Sequence, residues 1–152
     1  MRVTAKVDYA LRAAVVLAGT EPRQPIKGDE IGRREGIPTK YLESILTDLR
    51  HADLVRSQRG AEGGYWLAHP ADEITIADVI RAVEGPLANV RGERPEALEY
   101  GPATSALRDV WVATRAALRS VLERTTLADV ADGRLPSQVA RLLDDPEAWE
   151  PH

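Results

Sequence analysis

One stretch, from Asp29 to His69, constrains the fold more than any other part of the chain. Asp29-Glu30-Ile31-Gly32-Arg33-Arg34 opens with acidic residues, which favour a helix N-terminus, and Glu35-Gly36-Ile37 breaks the run. Pro38 restarts it. Leu42, Ile45, Leu46 and Leu49 then recur at offsets of three, four and seven, the buried face of a second helix that His51-Ala52-Asp53 ends. Leu54-Val55-Arg56-Ser57-Gln58 and Tyr65-Trp66-Leu67-Ala68-His69 read as paired strands on either side of Arg59-Gly60-Ala61-Glu62-Gly63-Gly64. Three glycines in five positions make a turn that accepts positive φ and lets backbone approach a flat surface. Helix, turn, helix, strand, wing, strand is the order of a winged helix-turn-helix.

Two exposed parts of that pattern carry chemistry suited to nucleic acid. The polar face of the second helix holds Thr39, Lys40, Glu43, Ser44 and Thr47, which can donate to phosphate or read base edges in a major groove. Thr39, Lys40, Tyr41 and Ser44 are expected at the groove edge, with Glu43 accepting from a cytosine amino group or orienting Lys40. Arg59, leading into the Gly60, Gly63 and Gly64 turn, can reach an adjacent narrow minor groove. The plainer readings are a solvated helix face and an ordinary hairpin turn, and it is the two features side by side that favour DNA.

Charge is the main objection, because the 152 residues carry a net charge of -4. It weakens once the chain is divided. Residues 1–69 hold 11 Lys or Arg against 9 Asp or Glu, whereas residues 70–152 hold 9 against 15. The basic excess lies in the candidate reading head and the acidic excess outside it. So modest an excess calls for two heads in a dimer. Hydrophobic residues at 43% and charged residues at 29% are ordinary for a globular chain of this size.

Three stretches, Thr4-Ala5-Lys6-Val7-Asp8-Tyr9-Ala10-Leu11-Arg12-Ala13, Ile37-Pro38-Thr39-Lys40-Tyr41-Leu42-Glu43-Ser44-Ile45-Leu46 and the wing, resemble the bacterial Rrf-type winged-helix regulators, the IscR/NsrR/CymR-like family. The likeness continues through Ile74-Thr75-Ile76-Ala77-Asp78-Val79-Ile80 and a later long helix. The resemblance implies a homodimeric transcription factor, usually a repressor, on double-stranded DNA with a dyad-symmetric operator. It also implies Thr4 and Lys6 as phosphate contacts at the start of the first helix. Many members hold an iron-sulfur cluster through three cysteines after the fourth helix. This chain has no cysteine at all, so such a site, any disulfide and any thiol switch are excluded by composition. No cofactor is expected. The likeness is therefore to the cluster-free CymR-like branch, which regulates sulfur and cysteine metabolism. Some of that branch respond through a complex with cysteine synthase, although Pro151-His152 offers no recognisable docking peptide for that enzyme. His51, His69 and His152 are scattered, without metal-ligand spacing on one helical face, and read as surface histidines.

The remainder supplies a second module. No Gly or Pro occurs between Thr104 and Arg124, and Leu107, Trp111, Thr114, Leu118 and Val121 recur in steps of four, three, four and three, a coiled-coil spacing for dimerisation. Val110, Ala117 and Leu122 widen the stripe. A helix packed on its own domain is the alternative. Thr75 with Asp78 and Thr126 with Asp129 look like capping boxes of two shorter helices, the first stopped by Gly85-Pro86 and expected to back the wing, the second ended by Gly133. The 18-residue connection from Pro86 to Ala103 is long for a compact domain. It is expected to be either an effector site, with Arg91 and Arg94 as anion contacts for a small molecule or a protein, or a static dimer-contact loop. Asp144 to His152, with two prolines and four carboxylates, is expected to be a mobile acidic tail.

The expected organisation is mainly α with a small β-hairpin wing: residues 1–85 the winged helix-turn-helix, 86–103 the connection, 104–143 the dimerisation helix with short C-terminal helices, and 144–152 the tail. An enzyme is disfavoured by the absence of cysteine, of a Gly-x-Ser-x-Gly elbow and of a phosphate-binding glycine loop. A protein-interaction adaptor on a winged-helix scaffold is the competing class. The N-terminus carries no basic-then-apolar leader, and Arg12 breaks an apolar run too short for a bilayer, so no membrane partner and a cytoplasmic location are expected.

Overall fold

The computed structural model describes residues 2–151; His152 lies outside the described residues. Helix α1 (Ala5–Ala18) starts at Thr4, whose side chain accepts the Val7 N–H. It buries Val7, Ala10, Ala13, Ala14 and Leu17, small enough to let neighbouring helices come close. Helix α2 (Gly28–Glu35) ends on Gly36 in the left-handed conformation, φ 62°, and α3 (Thr39–His51) begins after Pro38. This is the turn that the Glu35-Gly36-Ile37 break predicts. Ile31 from α2 and Leu42, Ile45, Leu46 and Leu49 from α3 meet the buried face of α1, forming one core with Val55, Ile74 and Val79.

Strands β1 (Val55–Gln58) and β2 (Gly64–Leu67) pair antiparallel, Val55 opposite Leu67 and Gln58 opposite Gly64. The sequence pattern misses a third element: Ile26 and Tyr65 exchange backbone hydrogen bonds of 2.9 and 2.7 Å, which anchor the hairpin to the segment before α2. Helix α4 (Ile76–Glu84) carries the expected capping box, Thr75 with Asp78, and ends at Gly85. It does not back the wing. It packs on α1 and α3 instead, because Val79, Ile80 and Val83 fill the apolar side of those helices while α1 and α3 themselves support the hairpin.

The 86–103 connection is more structured than its length implies. Pro95 and Leu98 are buried, Val90 pairs with Glu93, and short 3-10 turns span Pro95–Ala97 and Pro102–Thr104. Helix α5 (Ala106–Leu122) follows and has no fully buried residue. Helices α6 (Leu127–Ala131) and α7 (Ser137–Ala140) complete the chain, α6 under the Thr126–Asp129 capping box and seated against α1 by the buried Leu127. Residues 144–151 include a 3-10 turn, Pro146–Trp149, whose Trp149 donates to the Leu143 carbonyl while remaining 70% exposed. The architecture is a winged helix-turn-helix with a long helix attached through α4 and the connection. Among the described residues no helix is long and apolar enough to cross a membrane.

Candidate nucleic-acid interface

Helix α3 divides cleanly into a buried and an open face. Leu42, Ile45, Leu46 and Leu49 point into the core, and Thr39, Lys40, Tyr41, Glu43, Ser44 and Thr47 are exposed on the other side. Tyr41 is half exposed, at 51%, yet its ring rests against Tyr9 of α1 at 5.8 Å between centroids. That contact restricts its orientation before any ligand arrives.

Ion pairing separates the cations that hold the fold from those left open. Arg33 and Arg34 are held by Glu30, Arg12 by Asp8 and Glu35, and Lys6 by Asp48 at 2.7 Å. The two α2 arginines donate to the Glu30 carboxylate and hold it at about 2, well below the usual carboxylate range. Among the described residues, no carboxylate lies within ion-pair distance of Lys27, Lys40, Arg56 or Arg59. These four lie on α3, on the hairpin and at the start of α2. The sequence pattern does not single out Lys27 or Arg56 as DNA contacts, although Arg56 occupies an outward position of β1 and Lys27 immediately precedes the acidic start of α2.

Thr4 and Lys6 stand apart from this set. The Thr4 hydroxyl caps α1 and donates to Glu84, and Lys6 ties α1 to α3 through Asp48. A phosphate could recruit Lys6 only by competing with that carboxylate. Within the wing, Arg59 and Gly60 are exposed, whereas Gly63 and Gly64 are buried. Their task is internal: a Cβ on Gly63 would sit 2.2 Å from the Gln58 carbonyl oxygen, and one on Gly64 2.5 Å from that of Ile26. They let the turn fold back tightly enough to present Arg59.

On α5 the five residues of the coiled-coil spacing separate into two sets. Trp111 and Leu118 are half-buried against their own chain, and the Trp111 indole N–H donates to the Tyr100 hydroxyl at 3.0 Å. Leu107 and Thr114 are open, Val121 is partly so, and Val110 and Ala117 lie exposed between them, so the uncovered face is centred on the residues that the spacing put at its margin. In the connection, Arg91 sits over the Tyr100 ring at 5.9 Å on a positive-φ backbone, and Arg94 is exposed. Arg94 lines a cleft between α4, the connection and α5 that does not include Arg91.

Comparison with known proteins agrees with this arrangement. The sequence profile of the Rrf2 family, described as iron-dependent transcriptional regulators, matches residues 3–133. A Mycobacterium tuberculosis protein named as an HTH-type transcriptional regulator is 54% identical over 150 residues, covering 99% of this chain and 93% of that one. The solved structure of CymR, the global cysteine regulator of B. subtilis, has 34% sequence identity and a TM-score of 0.70, covering 88% of this chain and 98% of the other. T. potens IscR, at 30% identity and a TM-score of 0.68, covers 100% and 93%.

Iron dependence is a property of the family description that the donor set here does not fit. The chain has no thiolate to offer, and no three His, Asp or Glu residues come together as a metal site among the described residues. In the connection, Glu96 is already paired with Arg115.

Proposed function

The chain belongs to the Rrf2 family of transcriptional regulators, and from that premise we propose that it is a cluster-free, homodimeric repressor that binds a dyad-symmetric operator in the cytoplasm. The observation that carries the proposal is the pairing of an α3 face with free Thr39, Lys40, Glu43 and Ser44 and a hairpin with unpaired Arg56 and Arg59. In this reading α3 enters the major groove, Lys40 and Arg56 neutralise phosphates, and Arg59 enters the flanking minor groove, where a narrow A/T-rich stretch concentrates negative potential. The open face of α5, Leu107, Val110, Thr114, Ala117 and Val121, supports a dimer, since a helix of this length seldom leaves its apolar side to water. Two heads then double the phosphate contacts that one weakly basic head lacks.

Control of sulfur or cysteine genes is the assignment we favour within the family, supported by the absence of cysteine and by the likeness to CymR. The test is fluorescence anisotropy on random duplex across a salt series, followed by sequencing of genomic fragments retained by the protein. The expected result is an affinity falling linearly in log salt and a palindromic consensus upstream of sulfur-assimilation genes. Salt-independent binding, or no recovered consensus, would defeat the DNA reading; a consensus at unrelated genes would defeat the sulfur assignment alone.

A further inference from the structure

Four arginines converge on a cleft that shares no residue with α2, α3 or the hairpin. It measures about 560 Å³, lies between the end of α4, the connection and the second half of α5, and is lined by Arg81, Arg94, Arg115, Arg119, Glu96 and Leu87. Arg115 donates to Glu96 at 2.5 Å, Arg119 donates to Glu123 at 3.0 Å, and Arg81 donates to the same Glu123. Both glutamates are held below the usual carboxylate range, Glu96 by its own backbone N–H and then by Arg115, Glu123 by Arg81 and then by Arg119. Even with Asp78 at 3.7 Å from Arg81, cations outnumber anions, and Arg94 has no ion pair among the described residues. Each guanidinium has five N–H donors, more than its carboxylate partners occupy, so a row of donors remains for a ligand.

The cleft also stays clear of the face that a second copy would cover. With 3.6 residues per turn, Arg115 and Arg119 lie roughly 140–180° around α5 from Val110 and Ala117. Dimerisation through that apolar face leaves the arginines open.

We propose that this cleft binds a small polyanion, a metabolite carrying two or more phosphate or carboxylate groups. Forked guanidinium donors match both oxygen geometries, and four arginines lining one cleft offer separate partners to charges carried on separate groups. Bound there, the ligand bridges α4 of the reading head to α5 and fixes the angle between head and dimer helix. This regulatory consequence rests on the regulator reading above, whereas the binding site does not.

The experiment is titration calorimetry on the full chain without DNA, at constant ionic strength, with inorganic pyrophosphate, citrate and, as a monoanion, acetate. One site per chain for pyrophosphate or citrate and none for acetate is expected, and the stronger of the two identifies the ligand chemistry. Arg94→Ala with Arg119→Ala should weaken binding at least roughly tenfold, while Arg134→Ala, outside the cleft, should not. The single Arg94→Ala variant breaks no ion pair and serves if the double variant is poorly folded. Binding of neither polyanion, or equal binding by wild type and the cleft variants, overturns the proposal. So does a loss of random-duplex affinity in Arg94→Ala as large as that in Lys40→Ala, because the cleft would then be a DNA phosphate contact.

Discussion

A methyl group at Gly64 would stand 2.5 Å from the Ile26 carbonyl oxygen, on a backbone already at φ 150°. Neither the strand nor its partner can yield without losing the 2.7 and 2.9 Å hydrogen bonds between Ile26 and Tyr65. Gly64→Ala is therefore expected to lose about 2–3 kcal/mol of stability in urea unfolding, at the upper end for backbone strain. A loss under half that would mean the hairpin is not anchored as described. Surface residues follow a different logic. Arg59→Ala should relax specificity at A/T-rich positions flanking each half-site, whereas Lys40→Ala should weaken all sequences alike and reduce the salt slope by about 1. Footprints on mutated operators, with anisotropy at several salt concentrations, distinguish the two effects. Glu30 offers a pH test. Arg33 and Arg34 hold its carboxyl down at about 2, against the ordinary glutamate value of 4.5, so its contribution to stability is complete above about 4.5 and is lost as pH falls towards 2. Carboxyl chemical shifts followed through an acid titration should show Glu30 titrating well below the usual carboxylate range, and Arg33→Ala should move it upward.

At the scale of elements, α5 yields the sharpest consequence. Asp at Val110 together with Asp at Ala117 places charge in the centre of the uncovered face without touching the core of the head. The variant should sediment as a monomer, keep its helical content by circular dichroism, unfold at a lower temperature and bind DNA weakly. A charged Leu118 is a poorer probe, because that side chain is half-buried beside Trp111 and its replacement disturbs the attachment of α5 itself. The helices were legible because an amphipathic period writes the buried face into the sequence, as Leu42, Ile45, Leu46 and Leu49 do for α3. Thr75 and Thr126 were legible for an equally local reason, since a capping box is satisfied within four residues. The Ile26 bridge was not, because one residue paired across a sheet has no period. The seat of α4 escaped for a related reason: its stripe says that Val79, Ile80 and Val83 are buried but not against which partner. Gly63 and Gly64 were legible as turn residues, while their burial depends on Gln58 and Ile26, which only the folded hairpin brings near.

Taken as one molecule, the chain separates a weakly basic reading head from an acidic remainder, and the connection between them is held by packed side chains and arginine–carboxylate pairs. Pro95 and Leu98 are buried there, Glu96 is bound to Arg115, and Tyr100 accepts from Trp111. A cluster would need thiolates, and none exists anywhere in the sequence. The head's geometry therefore does not depend on a thiolate-held cluster. The consequent expectation is that the purified protein is colourless, carries no stoichiometric iron, and binds its operator with the same affinity whether prepared with or without oxygen and whether or not a strong iron chelator has been applied. Elemental analysis, visible absorption and anisotropy on one sample check all three at once. Iron at one or more atoms per chain, with absorption that rises and falls with operator binding, would show that oxygen and nitrogen donors assemble across the dimer, and would return this chain to the metal-sensing part of its family.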